Sequence, residues 1–177
     1  MIYEMLRELS GLSMRRWLTE EVFSFGWFLM AAILIIVYII WLRLLDKKRA
    51  TALLLIGSLA AVAYSLNSMV LGGVFGLADY LVRILPFYSN VFVSSITLSP
   101  ITIMLAEQYA SSWKGYMLRT AIGLAVLCFA VFPLYILVGI LEFHNWNVFF
   151  HFVVLFVISL VIRLAFLWIT GTEKRHA

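Results

Sequence analysis

Five long stretches of the chain carry no Asp, Glu, Lys or Arg: 22–42, 50–78, 84–106, 120–141 and 143–162, the last running past Arg163 to about Thr170. About 20 apolar residues cross a ~30 Å hydrocarbon core at ~1.5 Å per residue. An unbroken apolar run satisfies its own backbone hydrogen bonds in lipid only as a helix. The pattern therefore predicts an all-α, polytopic transmembrane helical bundle with spans near 22–42, 50–71, 87–106, 119–140 and 148–170, and a tail at 171–177. These spans form one domain, 22–170.

The first 21 residues differ. Ile2, Met5, Leu6, Leu9 and Leu12 recur at helical spacing, with Glu4, Arg7 and Glu8 opposite. That pattern predicts an amphipathic helix lying in the membrane interface. No cleavable signal is expected, because the first long apolar run begins only near Val22. Between the second and third spans, Gly72, Gly73 and Gly76 loosen the chain. A loop or a re-entrant segment fits 72–86, with Asp79 to Leu85 as a short interfacial helix.

Composition agrees with the patterning. Of 177 residues, 64% are hydrophobic and 12% charged, about half the charged share of a soluble domain. The net charge of +4 belongs to loops beside lipid headgroups; no basic run accompanies a soluble fold, so no nucleic-acid partner is expected. The bilayer itself is the expected partner, with a homo-oligomer or other membrane proteins beside it. Cys128 is the only cysteine, so neither an intrachain disulfide nor a cysteine metal cluster can form.

Charge also predicts orientation. With five spans, Arg7, Arg15, Arg16 and Arg83 share one side, while Arg43, Lys47, Lys48, Arg49, Lys114, Arg119, Lys174 and Arg175 share the other. Positive charge is retained in the cytoplasm, which places the N-terminus outside and the C-terminus inside.

On that topology Asn67, Glu142, His144, Asn147 and His151 all fall toward the outer side. Asn147 and His151 are four apart and share a helix face. One reading is a polar pocket opening outward; the other is interfacial polar residues and interhelical hydrogen bonds. Glu142, His144 and His151 are of metal-ligating type, but their spacing matches no metal motif, and no metal or other cofactor is expected. No serine stands in a nucleophile motif, and the chain reads as non-enzymatic. Arg163 lies inside the last span. It can snorkel to the cytoplasmic interface, or pair with Glu107 at the inner end of the third span. Gly57, Ala61 and Ser65 recur every four residues, a stripe that lets helices approach closely, and Pro100 and Pro133 are expected to kink spans three and four.

Several segments together resemble a known family: Leu45-Asp46-Lys47-Lys48-Arg49, Leu85-Pro86-Phe87, Ser99-Pro100 through Glu107-Gln108-Tyr109, Trp113-Lys114, Phe132-Pro133-Leu134 and, above all, Ile140-Leu141-Glu142-Phe143-His144-Asn145-Trp146-Asn147. Over about 46–168 the chain is similar to an uncharacterised family of small polytopic membrane proteins from endospore-forming Firmicutes. The resemblance implies a protein of the bacterial cytoplasmic membrane, with a link to sporulation and no established activity. The chain departs from that pattern at Asn67 and Phe132, where the family carries acidic residues, and this weakens any inherited ion or proton path. Two functions follow: a helical bundle that interacts with lipids or other membrane proteins, or a small transporter or channel subunit with an outward-facing polar pocket.

Overall fold

The apolar runs fold as helices in the computed structural model, which describes residues 2–86 and 92–176. The amphipathic start is α1 (Ile2–Arg16), continued by a wider π-helical turn over Trp17–Glu21. Then come α2 (Phe25–Leu44) and α3 (Ala50–Ser68), the latter running on as a π-helical Met69–Val74. A π-helical Phe92–Leu98 leads into α4 (Ser99–Tyr109). Next are α5 (Trp113–Val126), a π-helical Leu127–Val131 and α6 (Phe132–Leu137), and α7 (Val148–His176) closes the bundle.

Among the described residues four helical stretches are long and apolar enough to cross a membrane: Phe25–Leu44, Lys47–Val74, Trp113–Leu137 and Val148–Gly171. Together they mark an integral membrane helical protein. The expected third span overlaps Phe92–Tyr109, with 87–91 outside the described residues. That helix is the centre of the bundle: it packs against α3 on one side and α5 on the other, and both of those touch α7. Ser99, Pro100, Ile101, Ile103, Met104, Ala106 and Glu107 are all buried. A helix enclosed by other helices can carry Ser94, Ser95, Thr97 and Ser99 buried, because its neighbours supply partners that lipid cannot.

Two glycines let α4 in so closely. A β-carbon on Gly57 would stand 2.6 Å from Met104 Sδ, and one on Gly123 would stand 2.4 Å from Thr102 Cγ2. At Gly57 the small-residue stripe on α3 thus serves an internal contact.

Several expected boundaries shift for local reasons. The fourth span begins at Trp113, since Ser112 Oγ accepts the Gly115 amide and caps the helix there. It ends before Gly139, whose φ of +72° suits a residue without a β-carbon. The last helix is apolar enough to cross a membrane over Val148–Gly171 and continues as helix to His176. Pro100 and Pro133 each follow a π-helical segment. A proline lacks an N–H and its ring collides with the carbonyl four residues back, and a π turn takes up that mismatch.

Residues 72–86 are a loop that carries a short strand, and Asp79–Leu85 is not a helix. The π-helical turn ends at Val74, Gly76 turns the chain with a φ of +59°, and Ala78–Tyr80 becomes strand β1. It pairs antiparallel with β2 (Leu141–Phe143) in the register Ala78↔Phe143, Asp79↔Glu142, Tyr80↔Leu141. Leu81 N donates to Ile140 O at 2.8 Å and His144 N to Leu77 O at 2.9 Å, extending the ladder at both ends.

Candidate functional site

The strand pair caps one end of the bundle, and its pleat sorts its side chains by face. Ala78, Tyr80, Leu141 and Phe143 point inward and, with Ser68, Gly72, Ser94 and His151, line a cavity of about 20 Å³. That is room for one water molecule. The polar groups around it are paired: Tyr80 Oη donates to Ser94 Oγ at 2.9 Å, and Ser68 Oγ meets Ser95 Oγ at 2.6 Å. Burial raises the Tyr80 phenol from 10.0 to about 12, a shift its bond to Ser94 partly offsets. The His151 ring rests 5.3 Å from Phe132 and 5.7 Å from Phe143, and its Nδ1 faces Trp146 Nε1 at 3.4 Å. Two walls come from widened helix, Leu71 with Gly72 and Ser94, and Phe132 follows directly on the π-helical Leu127–Val131. Such bulges often accompany functional sites.

Of the five residues expected to form a pocket, only His151 lines this cavity. Asn147 is exposed and caps α7, its Oδ1 accepting the Phe150 amide at 2.9 Å. Glu142 and His144 stand on the other face of the cap, 53% and 43% exposed. Asn67 is half-buried, and its amide nitrogen has no hydrogen-bond partner among the described residues. The assembly differs from the expected pocket because Glu142 sits in a strand, where neighbouring residues alternate in direction. Ser68, Tyr80 and Ser94 take the places around the cavity.

A second polar site at the same end went unforeseen. Glu21 is 3% exposed and Arg83 13%. Arg83 Nη2 meets Glu21 Oε1 at 2.6 Å, while Glu21 Oε2 accepts Arg83 Nε at 2.8 Å and the Arg83 amide at 2.9 Å. Arg83 Nη1 donates to Ser13 Oγ at 2.7 Å, and Trp17 Nε1 to the Arg83 carbonyl at 2.9 Å. This bidentate, charge-assisted clasp fastens the N-terminal helix to the segment after β1. An open cleft of about 440 Å³ lies beside it, lined among others by Arg16, Asp79 and Leu81.

At the opposite end, Arg163 Nε stands 3.0 Å from Glu107 Oε2, both side chains 7% exposed. The Nε–H does not aim at that oxygen, so the contact is an ion pair rather than an aligned hydrogen bond. The guanidinium also lies 4.3 Å from the Tyr116 ring and 4.9 Å from the Trp113 ring, a favourable cation–π arrangement. Its Nη1 donates to the Ser112 carbonyl at 3.2 Å. Beside Glu107, Gln108 clamps the turn after α2: its Oε1 accepts the Asp46 amide at 3.0 Å and its Nε2 donates to Leu44 O at 2.7 Å.

A larger concavity lies elsewhere. A sideways-facing groove of about 630 Å³ runs between α3 and α7, walled by residues such as Leu55, Leu59, Val62, Val157, Val161 and Ala165. Compared with known protein families, curated proteins and solved structures, the chain matches none.

Proposed function

We propose that this protein is a non-enzymatic membrane bundle whose work is to interact with lipids or other membrane proteins, and that it resides in a bacterial cytoplasmic membrane with its C-terminus inside. One observation carries the reading. Several polar groups between helices are held within the bundle, at Glu107–Arg163, Tyr64 to the Leu155 carbonyl and Tyr116 to the Ser159 carbonyl. At the strand end Ser68, Tyr80, Ser94 and His151 surround only about 20 Å³ beside the open cleft at Glu21 and Arg83, while about 630 Å³ opens sideways between α3 and α7 along apolar walls. Such a shape suits an acyl chain or a neighbouring helix more than a polar solute. The kinship with small membrane proteins of endospore-forming Firmicutes, with their link to sporulation, belongs to the same proposal.

The test is native mass measurement in nanodiscs on the unaltered chain and on Val62→Trp and Val161→Trp. A multimer or a retained lipid that both substitutions remove supports the proposal. A lipid-free monomer unaffected by them overturns it.

A second reading, a small transporter or channel subunit, draws on the meeting of two π-helical segments, Met69–Val74 and Phe92–Leu98, with His151 beneath the strand cap. Solute flux in proteoliposomes that His151→Phe abolishes would favour it.

A further inference from the structure

We infer that the strand cap is a pH-sensitive latch, held by His144 over the cavity that Ser68, Tyr80, Ser94 and His151 line. This goes beyond the proposed function and does not depend on it. The register puts Asp79 directly opposite Glu142, and like charges facing each other across a strand pair oppose pairing. His144 stands between them: its Nε2 is 3.7 Å from Asp79 Oδ2 and its Nδ1 3.7 Å from Glu142 Oε1. A protonated imidazole presents an N–H to each carboxylate. A neutral one has a single N–H, so one nitrogen lone pair must face a carboxylate. The two ring nitrogens point to opposite sides, which also prevents the three residues from converging on one metal ion.

The same pleat that exposes this triad buries its neighbours. Ala78, Tyr80, Leu141 and Phe143 close the cavity only while the two strands stay paired, and each strand is three residues long. A sheet so short is marginal by itself, so a modest change in cross-strand charge is a large part of what holds it. Histidine is the side chain that changes charge between about pH 5 and 8. The cap therefore tightens as pH falls through that range and loosens as it rises.

Other charged groups near the latch are accounted for. Asp79 also borders the cleft with Arg16, Glu21 and Arg83, but Glu21 and Arg83 hold each other, and Arg16 reaches Glu20 and Glu21 at 3.6 Å. His151 lies on the inner face of the cap, against Phe143, on the side away from Asp79 and Glu142.

The experiment uses the full chain in nanodiscs with Cys128→Ala and Ser94→Cys, so that the only thiol lies under the cap. Its reaction with a small water-soluble maleimide is followed at pH 5.5 and 8, each rate divided by that of a Thr19→Cys control. The corrected rate should be about fivefold higher at the upper pH, the factor two exposed ion pairs worth together about 1 kcal/mol would produce. His144→Gln should remove that dependence, while His151→Gln should keep it. Asp79→Asn with Glu142→Gln should give slow reaction at both pH values. A corrected rate independent of pH in the unaltered cap overturns the latch, as does a dependence that survives His144→Gln or vanishes with His151→Gln. Size-exclusion elution identifies any variant that does not fold, and the single substitutions Asp79→Asn and Glu142→Gln then take its place, each expected to lower the dependence by about half.

Discussion

Arg163 of α7 and Glu107 of α4 meet at 3.0 Å inside the bundle, with the guanidinium stacked against Tyr116 and Trp113. Removing one member leaves the other buried without its counter-charge, which costs about 3–5 kcal/mol, whereas replacing both with apolar residues costs far less. Arg163→Leu should therefore lower the thermal midpoint in detergent more than the pair Glu107→Leu with Arg163→Leu. Arg163→Lys should fall between, since an ammonium keeps the charge and loses the planar stacking. If Arg163→Leu melts like the unaltered chain, the arginine contributes through its stem alone.

Glu21 and Arg83 make a different prediction, because their clasp joins the N-terminal helix to the rest. Glu21→Ala should leave the melting of the core helices nearly unchanged but speed proteolysis before residue 22 about tenfold or more, given the usual cost of breaking a buried charge pair. Arg83→Met should do the same. Cleavage rates equal to those of the unaltered chain would mean that the helix is held by its apolar face.

The glycines beside α4 differ in how their neighbours can yield. At Gly57 a β-carbon meets the flexible end of Met104, whereas at Gly123 it meets Thr102 Cγ2, on a β-branched side chain with restricted rotamers. Gly57→Ala should cost less than about 1 kcal/mol and Gly123→Ala about 1–3 kcal/mol. Thermal midpoints of the two variants test this, and the reverse order would contradict the packing of α4.

Tyr80 predicts an alkaline limit. Its phenol holds a proton up to about 12 in the folded protein, against 10.0 for an unburied tyrosine. Between those values the unfolded chain binds fewer protons than the folded one, so stability is full below pH 10 and declines as pH rises toward 12. Tyr80→Phe should lose about 1 kcal/mol at neutral pH with the bond to Ser94, and should lose less than the unaltered chain on going from pH 9 to 11.5. Equal alkaline losses in the two proteins would count against the burial of that hydroxyl.

Much of the architecture was legible along the chain because its causes are local. Backbone groups in lipid must bond within their own segment, so runs of about 20 apolar residues could only be helices, and 25–44, 47–74, 113–137 and 148–171 follow from that. Arg163 announced itself as a charge within an apolar run and Glu107 as an acid at the matching depth. Glu21 gave no such signal: in the sequence it looks like its neighbour Glu20, yet Glu20 is 68% exposed and Glu21 3%. Its partner lies 62 residues away, and only the folded chain brings them together. The strands are the same case: Ala78–Tyr80 and Leu141–Phe143 carry no β pattern of their own, and they pair because two helices end side by side. Once paired, the two-residue pleat sends Glu142 and His144 outward and Tyr80 and Phe143 inward. Hydrophobic period and backbone satisfaction are properties of a segment, readable from it. Which polar residues meet is a property of distance between segments, and packing alone decides it.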